Sequence, residues 1–266
     1  MDVYVVDAFT REPLAGNPAA VVLLDEWLDD DRLQAMAAEH NLSETAYLVR
    51  SSNPEADYHI RWMTPAVEVK LCGHATLASA HVLWRELGFD RELIRLESKS
   101  GILNVSRDGE GRIVLDFPMI PIVAAEAPPG LIDALGATPI EFYDSYDFIC
   151  VFDSQEKLAT LDPDFGALAR VEGARAIGCT APGTKQDFVA RLFAPRAGIN
   201  EDPVTGSLYT MLAPYWARRL GKTKLTARQI SHRPGDLWVE HAEQSQDRVF
   251  IAGHGATYMR GVIAEA

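Results

Sequence analysis

The chain is 266 residues long, enough for one large domain or two modest ones. Hydrophobic residues make up 47% of it and charged residues 24%, ordinary globular usage that excludes a disordered, collagen-like or fibrous chain. A formal charge of −13 repels a phosphate backbone and argues against nucleic acid as a partner; the densest basic cluster, Arg218, Arg219, Lys222 and Lys224, reads as the solvated end of a helix.

In chain order, Val3–Ala8 is a short apolar strand. Thr10–Pro18 is rich in turn formers, with Gly16-Asn17-Pro18 the sharpest turn signal, and Ala19–Leu24 is the second strand. Asp29–His40 reads as a helix, acidic in its first turn, with Leu33, Met36, Ala37 and His40 on one stripe. Strands are expected at 44–49 and 58–62, the latter ended by Thr64-Pro65. Gly73–Leu87 is the clearest helix of the first half, apolar nearly all round and so expected to be buried all round, with Gly88 as its stop. Strands follow at 94–98, 103–107 and 113–117.

The segment Pro118–Pro129 holds four prolines and is the expected domain boundary. Beyond it the pattern gives strands at 141–143 and 148–152, helical pieces at 155–160 and 164–169, and strands at 174–179 and 187–193. A loop over 194–206 leads into a second apolar helix, Ser207–Leu220, stopped by Gly221. The remaining strands are expected at 224–231, 237–240, 249–252 and 257–263. The two halves share a plan of strands, a turn-rich loop, one apolar helix and more strands. Two curved sheets, each wrapped round a central helix, would produce it.

Cys72, Cys150 and Cys179 are too few, and odd in number, for a disulfide framework, and no CxxC pair is present. The start, Met1 to Asp7, is strand-like and lacks the basic and apolar regions of a signal peptide. No window of about 18 residues is apolar and uncharged, so no membrane span is expected and the cytoplasm is the simplest location.

The loops carry the chemistry. A helix start presents unpaired N–H groups and a partial positive charge, which bind carboxylates and stabilise developing negative charge. Gly73 and Gly206 would let ligand atoms approach the backbone. Taken singly, these loops read as plain turns, with Ser207 as a helix cap; their matching positions favour anion binding. Glu44, in an apolar context at a strand start, is a candidate general base; the plainer reading is a surface glutamate or salt-bridge partner. Cys72 and His74 suggest a metal site or a nucleophile pair only weakly. A third metal ligand is missing, and on a helix start the two side chains are expected to point in different directions. His81 reads as a core histidine, and Glu201-Asp202 before Pro203 sets two carboxylates on an extended segment. No GxGxxG or P-loop pattern is present, which argues against a nucleotide site.

Together these segments resemble the PhzF-like isomerase family, related in fold to diaminopimelate epimerase. The resemblance rests on Asp7-Ala8-Phe9-Thr10 with Gly16-Asn17-Pro18, on Asn41-Leu42-Ser43-Glu44-Thr45, on Thr64-Pro65 with Glu68, and on Cys72-Gly73-His74-Ala75-Thr76-Leu77-Ala78. Phe193-Ala194-Pro195, Gly198-Ile199 and Glu201-Asp202-Pro203-Val204-Thr205-Gly206-Ser207 complete it, in the family's order across nearly the whole chain.

The resemblance implies an α+β fold of two similar domains, each a β-barrel-like sheet round a central helix. The first would be 1–117 with 255–266, the second 118–254, with the active site in the cleft between them. It implies a homodimer and a cofactor-free, metal-free isomerase that moves a proton between carbons of a small carboxylate substrate. Glu44 is the implied general acid/base, with His74 and Asp202 as further catalytic groups, and Cys72, Gly73, Gly206 and Ser207 as substrate-binding residues. A protonated His74 or Asp202 would stabilise the delocalised negative charge. The epimerase relatives use two thiols; here Cys72 stands in the first loop but Asp202 in the second, against a two-thiol epimerase. An amino-acid racemase or a catalytically idle binding protein of the same fold are the alternatives.

Overall fold

The computed structural model describes residues 1–241 and 247–264. Two compact units emerge, one built from Met1–Phe117 together with the chain from Phe250 onward, the other from Pro118–Val249.

The first unit opens with β1 (Asp2–Ala8), β2 (Asn17–Leu23), α1 (Asp30–His40), β3 (Glu44–Arg50), β4 (Tyr58–Met63) and the short β5 (Glu68–Val69). Then come α2 (Gly73–His81), β6 (Leu93–Ser98), β7 (Gly101–Arg107) and β8 (Ile113–Pro118). β1 and β2 are antiparallel, β2 and β3 parallel, and β3 and β4 antiparallel. β4 also takes β6 in parallel, and β6, β7 and β8 form a meander. The parallel step is possible because α1 carries the chain back along the sheet. Asn41, left-handed at φ 49°, ends α1 and turns the chain into β3. Asparagine tolerates that conformation better than most residues.

Every residue of α2 from His74 to His81 is buried, as its all-round apolar composition requires. It packs on β1, β2 and β3. The expected helix to Leu87 is only partly α: after His81 the chain widens into a π-helical turn over Val82–Glu86, closed by the Leu87 N–H on the Val82 carbonyl at 3.1 Å. That turn lets the Trp84 indole N–H reach the Arg91 carbonyl at 2.8 Å while Val82, Leu83 and Trp84 all stay buried. Sequence periodicity does not distinguish a π turn from a continued α-helix.

The second unit contains β9 (Val123–Ala124), α3 (Leu131–Leu135), β10 (Glu141–Asp144), β11 (Phe148–Val151), α4 (Gln155–Ala159) and α5 (Phe165–Leu168). They are followed by β12 (Ile177–Pro182), β13 (Phe188–Ala194), β14 (Ile199–Asp202), α6 (Gly206–Leu220), β15 (Lys224–Gln229) and β16 (Gly235–Glu240). β11 and β12 are parallel, β12 and β13 antiparallel, and β13 pairs in parallel with β15. α6 buries Leu208 to Ala213 without a break, plus Trp216. Pro214 lies inside it and cannot donate to the Thr210 carbonyl. The Ile120 N–H faces that carbonyl instead, at 3.4 Å. Of the basic cluster, Arg218 and Arg219 lie in the last turn of α6, closed by left-handed Gly221, while Lys222 follows the helix and Lys224 opens β15.

β17 (Arg248–Gly253) precedes β18 (Gly255–Val262), which returns to the first unit as the antiparallel neighbour of β1. The architecture is the expected mixture of α and β, sheet-dominated with few helices. Strand boundaries move by a few residues; the strand expected at 174–179 lies at Ile177–Pro182. Among the described residues no helix is long and apolar enough to cross a membrane.

Candidate active site

The site in the first unit forms where three elements begin. β2 and β3 run parallel with Ala19 beside Glu44, so both strands start at one sheet edge. α2 starts there as well, with Cys72 in extended conformation (φ −141°, ψ 115°) before Gly73. Asn17 opens β2, Glu44 opens β3, and His74 sits in the first turn of α2. The loop feeding β2 is tightly constrained. Phe9 and Leu14 both adopt positive φ, and the Asp7 carboxylate accepts the Leu14 N–H at 2.7 Å. Phe9 is fully buried, so packing holds its strained backbone, whereas Leu14 is exposed and is held by its bond to Asp7.

His74 is the hub. Its Nδ1 is 3.3 Å from the Asn17 side-chain nitrogen and 3.6 Å from the Cys72 sulfur. Its Nε2 is 3.3 Å from the Glu44 carboxylate, off the direction a good hydrogen bond requires. With the Ser43 hydroxyl donating to the Asn17 Oδ1 at 3.5 Å, the Asn17 NH₂ faces His74. In that arrangement Nδ1 is the acceptor and the imidazole proton sits on Nε2, on the Glu44 side.

Burial lowers the His74 pKa to about 3. A cation there would lose its hydration with too little return, so His74 is neutral at physiological pH. The expectation of a protonated His74 is thus corrected: it offers a neutral N–H donor. The expected divergence of Cys72 and His74 is corrected too. Cys72 is extended and His74 helical, which turns both side chains to the same side. Glu44 supplies the third ligand that sequence spacing lacked. Among the described residues, Glu44, Cys72 and His74 are the one set of sulfur, nitrogen and oxygen donors close enough to hold a metal ion, all within 4.8 Å of one another.

In the second unit Asp202, Gly206 and Ser207 lie at the corresponding helix start. β14 ends at Asp202, and α6 begins at Gly206 after an extended Thr205 (φ −114°, ψ 102°). Ser207 is therefore inside the first turn and is not the cap, contrary to the plainer sequence reading. Gln229, fully buried, holds the turn together: its Oε1 accepts the Thr205 N–H at 3.0 Å and its Nε2 donates to the Asp202 carbonyl at 2.8 Å. The Thr205 hydroxyl donates to the Asp202 carboxylate. Arg175 donates to the Ser207 hydroxyl at 3.3 Å while clamped by the wholly buried Asp147 at 3.0 and 2.7 Å.

Sequence reasoning missed Asn17 as a site residue, along with Gln229, Arg175 and Asp147. Asn17 carried a signal, the Gly16-Asn17-Pro18 turn; the other three carried none. His81 is the core histidine expected, 9% exposed and bonded through Nε2 to Thr257 at 2.9 Å.

The family model of phenazine biosynthesis-like proteins, PhzC-PhzF, matches residues 6–261. The chain belongs to this family. A PhzF-like relative, an uncharacterized isomerase of Pseudomonas aeruginosa, is 46% identical over 265 residues, covering 99% of this chain and 98% of that protein. The crystal structure of a PhzF family protein from Enterococcus faecalis is 41% identical, covers 98% of this chain and 97% of that one, and superposes with a TM-score of 0.92. At the level of fold alone, a probable proline racemase from Agrobacterium radiobacter is similar, with a TM-score of 0.65 at 11% identity over 99% of this chain and 92% of that one. The protein is an enzyme of the PhzF-like isomerase class.

Proposed function

We propose that the protein is a cofactor-independent isomerase that moves a proton between carbons of a small carboxylate substrate, with Glu44 as the general acid/base. The observation that carries this reading is the placement of the Glu44 carboxylate 3.3 Å from Nε2 of a buried, neutral His74, at the start of α2. A carboxylate can take a proton from one carbon and return it to another on the same face. The neutral imidazole beside it leaves the carboxylate free to act as a base, where an imidazolium would tend to neutralise it. Loss of a proton next to a carboxylate or conjugated alkene leaves delocalised negative charge. The first N–H groups of α2 favour that charge. We assign Asp202, Gly206 and Ser207 to the same reaction, Asp202 as a second acid/base group and the other two as substrate-binding residues.

The experiment is exchange in deuterium oxide. The wild type is incubated with a panel of small carboxylates and scored for deuterium gain by mass spectrometry. One substrate C–H should exchange, and Glu44→Gln should lower its rate by about 10²–10⁴-fold with the fold intact. A folded Glu44→Gln protein with wild-type exchange ends the assignment. A second reading, an amino-acid racemase using Cys72, is favoured by the 3.6 Å approach of its sulfur to His74; it predicts inversion of a stereocentre.

A further inference from the structure

The end of α2 away from His74 borders a cavity of about 340 Å³ that the proposed reaction does not use. Arg11, Arg85, Arg107, His81, His254 and Trp84 line it, and among the described residues no carboxylate does. The arginines arrive on three different segments. Arg11 lies in the loop between β1 and β2, where the Thr10 N–H donates to the His254 carbonyl at 3.2 Å and sets the loop beside it. Arg85 lies in the π-helical turn that follows α2, a kind of turn that recurs at functional sites. Arg107 ends β7, and its guanidinium rests over the Trp84 ring at 4.9 Å.

The carboxylates nearby are already engaged. Glu86 is held by Arg260 at 2.6 and 2.9 Å, Glu92 by Arg107 at 2.7 Å, and Asp108 and Glu110 by Arg112 at 2.6 and 3.1 Å. The Glu92 and Glu110 side chains are also 77% and 67% exposed, so water screens most of their charge. Arg11 and Arg85 have no acidic partner among the described residues. Burial lowers the pKa of both histidines. Arg85 and Arg260 lower His81 further, and Arg11 and Arg112 lower His254, against the opposing pull of Glu86, Asp108 and Glu110. The charges that disfavour an imidazolium here favour an anion. Guanidinium groups suit the oxygens of carboxylates and phosphates. A planar carboxylate presents two oxygens along one edge. A phosphoryl group presents three, spread about a tetrahedron, and so meets donors from three segments.

We propose that this cavity binds a phosphoryl dianion, either free phosphate or the head of a small phosphate monoester, with Arg11 and Arg85 as its anchors and Arg107 at its wall. An adjoining cavity of about 370 Å³ shares Arg11, His81 and Arg85, and gives room for the organic part of an ester. Glu44, His74 and Asp202 are not among the lining residues, so the site is independent of the assignment of the reaction.

The test is a calorimetric titration of inorganic phosphate into the full-length protein, in a phosphate-free buffer of fixed ionic strength. One phosphate per chain should bind saturably. Arg11 and Arg85 are exposed, so Arg11→Gln and Arg85→Gln should leave the fold intact, which thermal melts check. Each should weaken binding by about 10-fold, and the double variant should abolish it. Arg218→Gln removes the same charge from the last turn of α6 and should change nothing. Three results overturn the site: no saturable binding up to about 10 mM phosphate, an affinity untouched in the double variant, or an equal loss in Arg218→Gln, which would mean diffuse attraction only. Phenyl phosphate and succinate then distinguish the ligands. Tighter binding of phenyl phosphate than of phosphate assigns the cavity to an ester, and equal or weaker binding assigns it to the free ion. Tighter binding of succinate than of either overturns the phosphoryl assignment.

Discussion

The Asn17 amide nitrogen and His74 Nδ1 meet at 3.3 Å across 57 positions of sequence, tying the start of β2 to the start of α2. With the Asn17 NH₂ as the donor, the contact leaves the imidazole proton on Nε2, on the Glu44 side. Asn17→Asp replaces a donor by an acceptor at nearly the same volume. The His74 proton should move to Nδ1, leaving a lone pair opposite the Glu44 carboxylate. Exchange should fall by about 10–100-fold, the effect of setting a lone pair instead of an N–H dipole beside the carboxylate. Nitrogen NMR of His74 checks the tautomer independently of activity, and an unchanged Nε2–H signal would remove Asn17 from this positioning role.

The legible parts of this site were those with a local signature. The two helices betray their burial by composition, and Glu44 and His74 sit in recognisable loops. What stayed hidden depends on contacts between distant segments. The charge state of His74 follows from burial that only the folded unit supplies. The pairing of Cys72 with His74 depends on one residue being extended and the next helical, which two positions in sequence do not reveal. Asp147 and Arg175 lie just before β11 and β12, whose parallel pairing brings them together, and Arg175 then reaches Ser207 at the start of α6; nothing in their neighbourhoods announces it.

Two buried histidines make stability depend on pH. Burial lowers His74 to about 3 and His81 to about 4, against about 6.5 when unfolded. Between those values the unfolded chain binds protons that the native chain does not. Stability is therefore fully present above about pH 6.5 and declines as pH falls towards 4. Each histidine contributes about 1.4 kcal/mol per pH unit in that window, so the pair costs at most about 4 kcal/mol between pH 6.5 and 5. Urea midpoints at about pH 7.5 and 5 measure the loss. His81→Gln keeps a donor for Thr257 and should reduce the slope; identical midpoints at both pH values in the wild type would contradict this.

Gly16 sets the position of Asn17. It has φ +63°, and an added Cβ would lie 2.1 Å from the Ala8 carbonyl oxygen. Gly16→Ala therefore meets both left-handed strain of about 1–2 kcal/mol and a backbone collision. Gly88 has a similar φ of +66° but open space around it. Gly88→Ala should cost about 1 kcal/mol, Gly16→Ala clearly more, and only Gly16→Ala should also impair exchange. Chemical denaturation of the two variants side by side tests the difference.

Cys72 decides between proton shift and racemisation. Its sulfur lies 3.6 Å from His74 at a helix start, the place where a reactive thiol is expected. A racemase needs an acid/base on each face of the substrate carbon, and the thiol would be one of them. An isomerase that carries the proton on one face needs only Glu44. The corresponding loop of the second unit offers the Asp202 carboxylate, which accepts from Thr205. On the proton-shift reading Cys72 lines the pocket, and Cys72→Ala should slow exchange by less than about tenfold, or 1.4 kcal/mol of barrier. Alkylation is the poorer test, because a bulky adduct would block substrate whatever the thiol does. The exchange rate of Cys72→Ala is therefore to be measured beside that of Glu44→Gln, with the stereochemistry of the product recorded. If Cys72→Ala is as inactive as Glu44→Gln and the wild type inverts a stereocentre, Cys72 is the second proton carrier and the racemase reading replaces the proton shift.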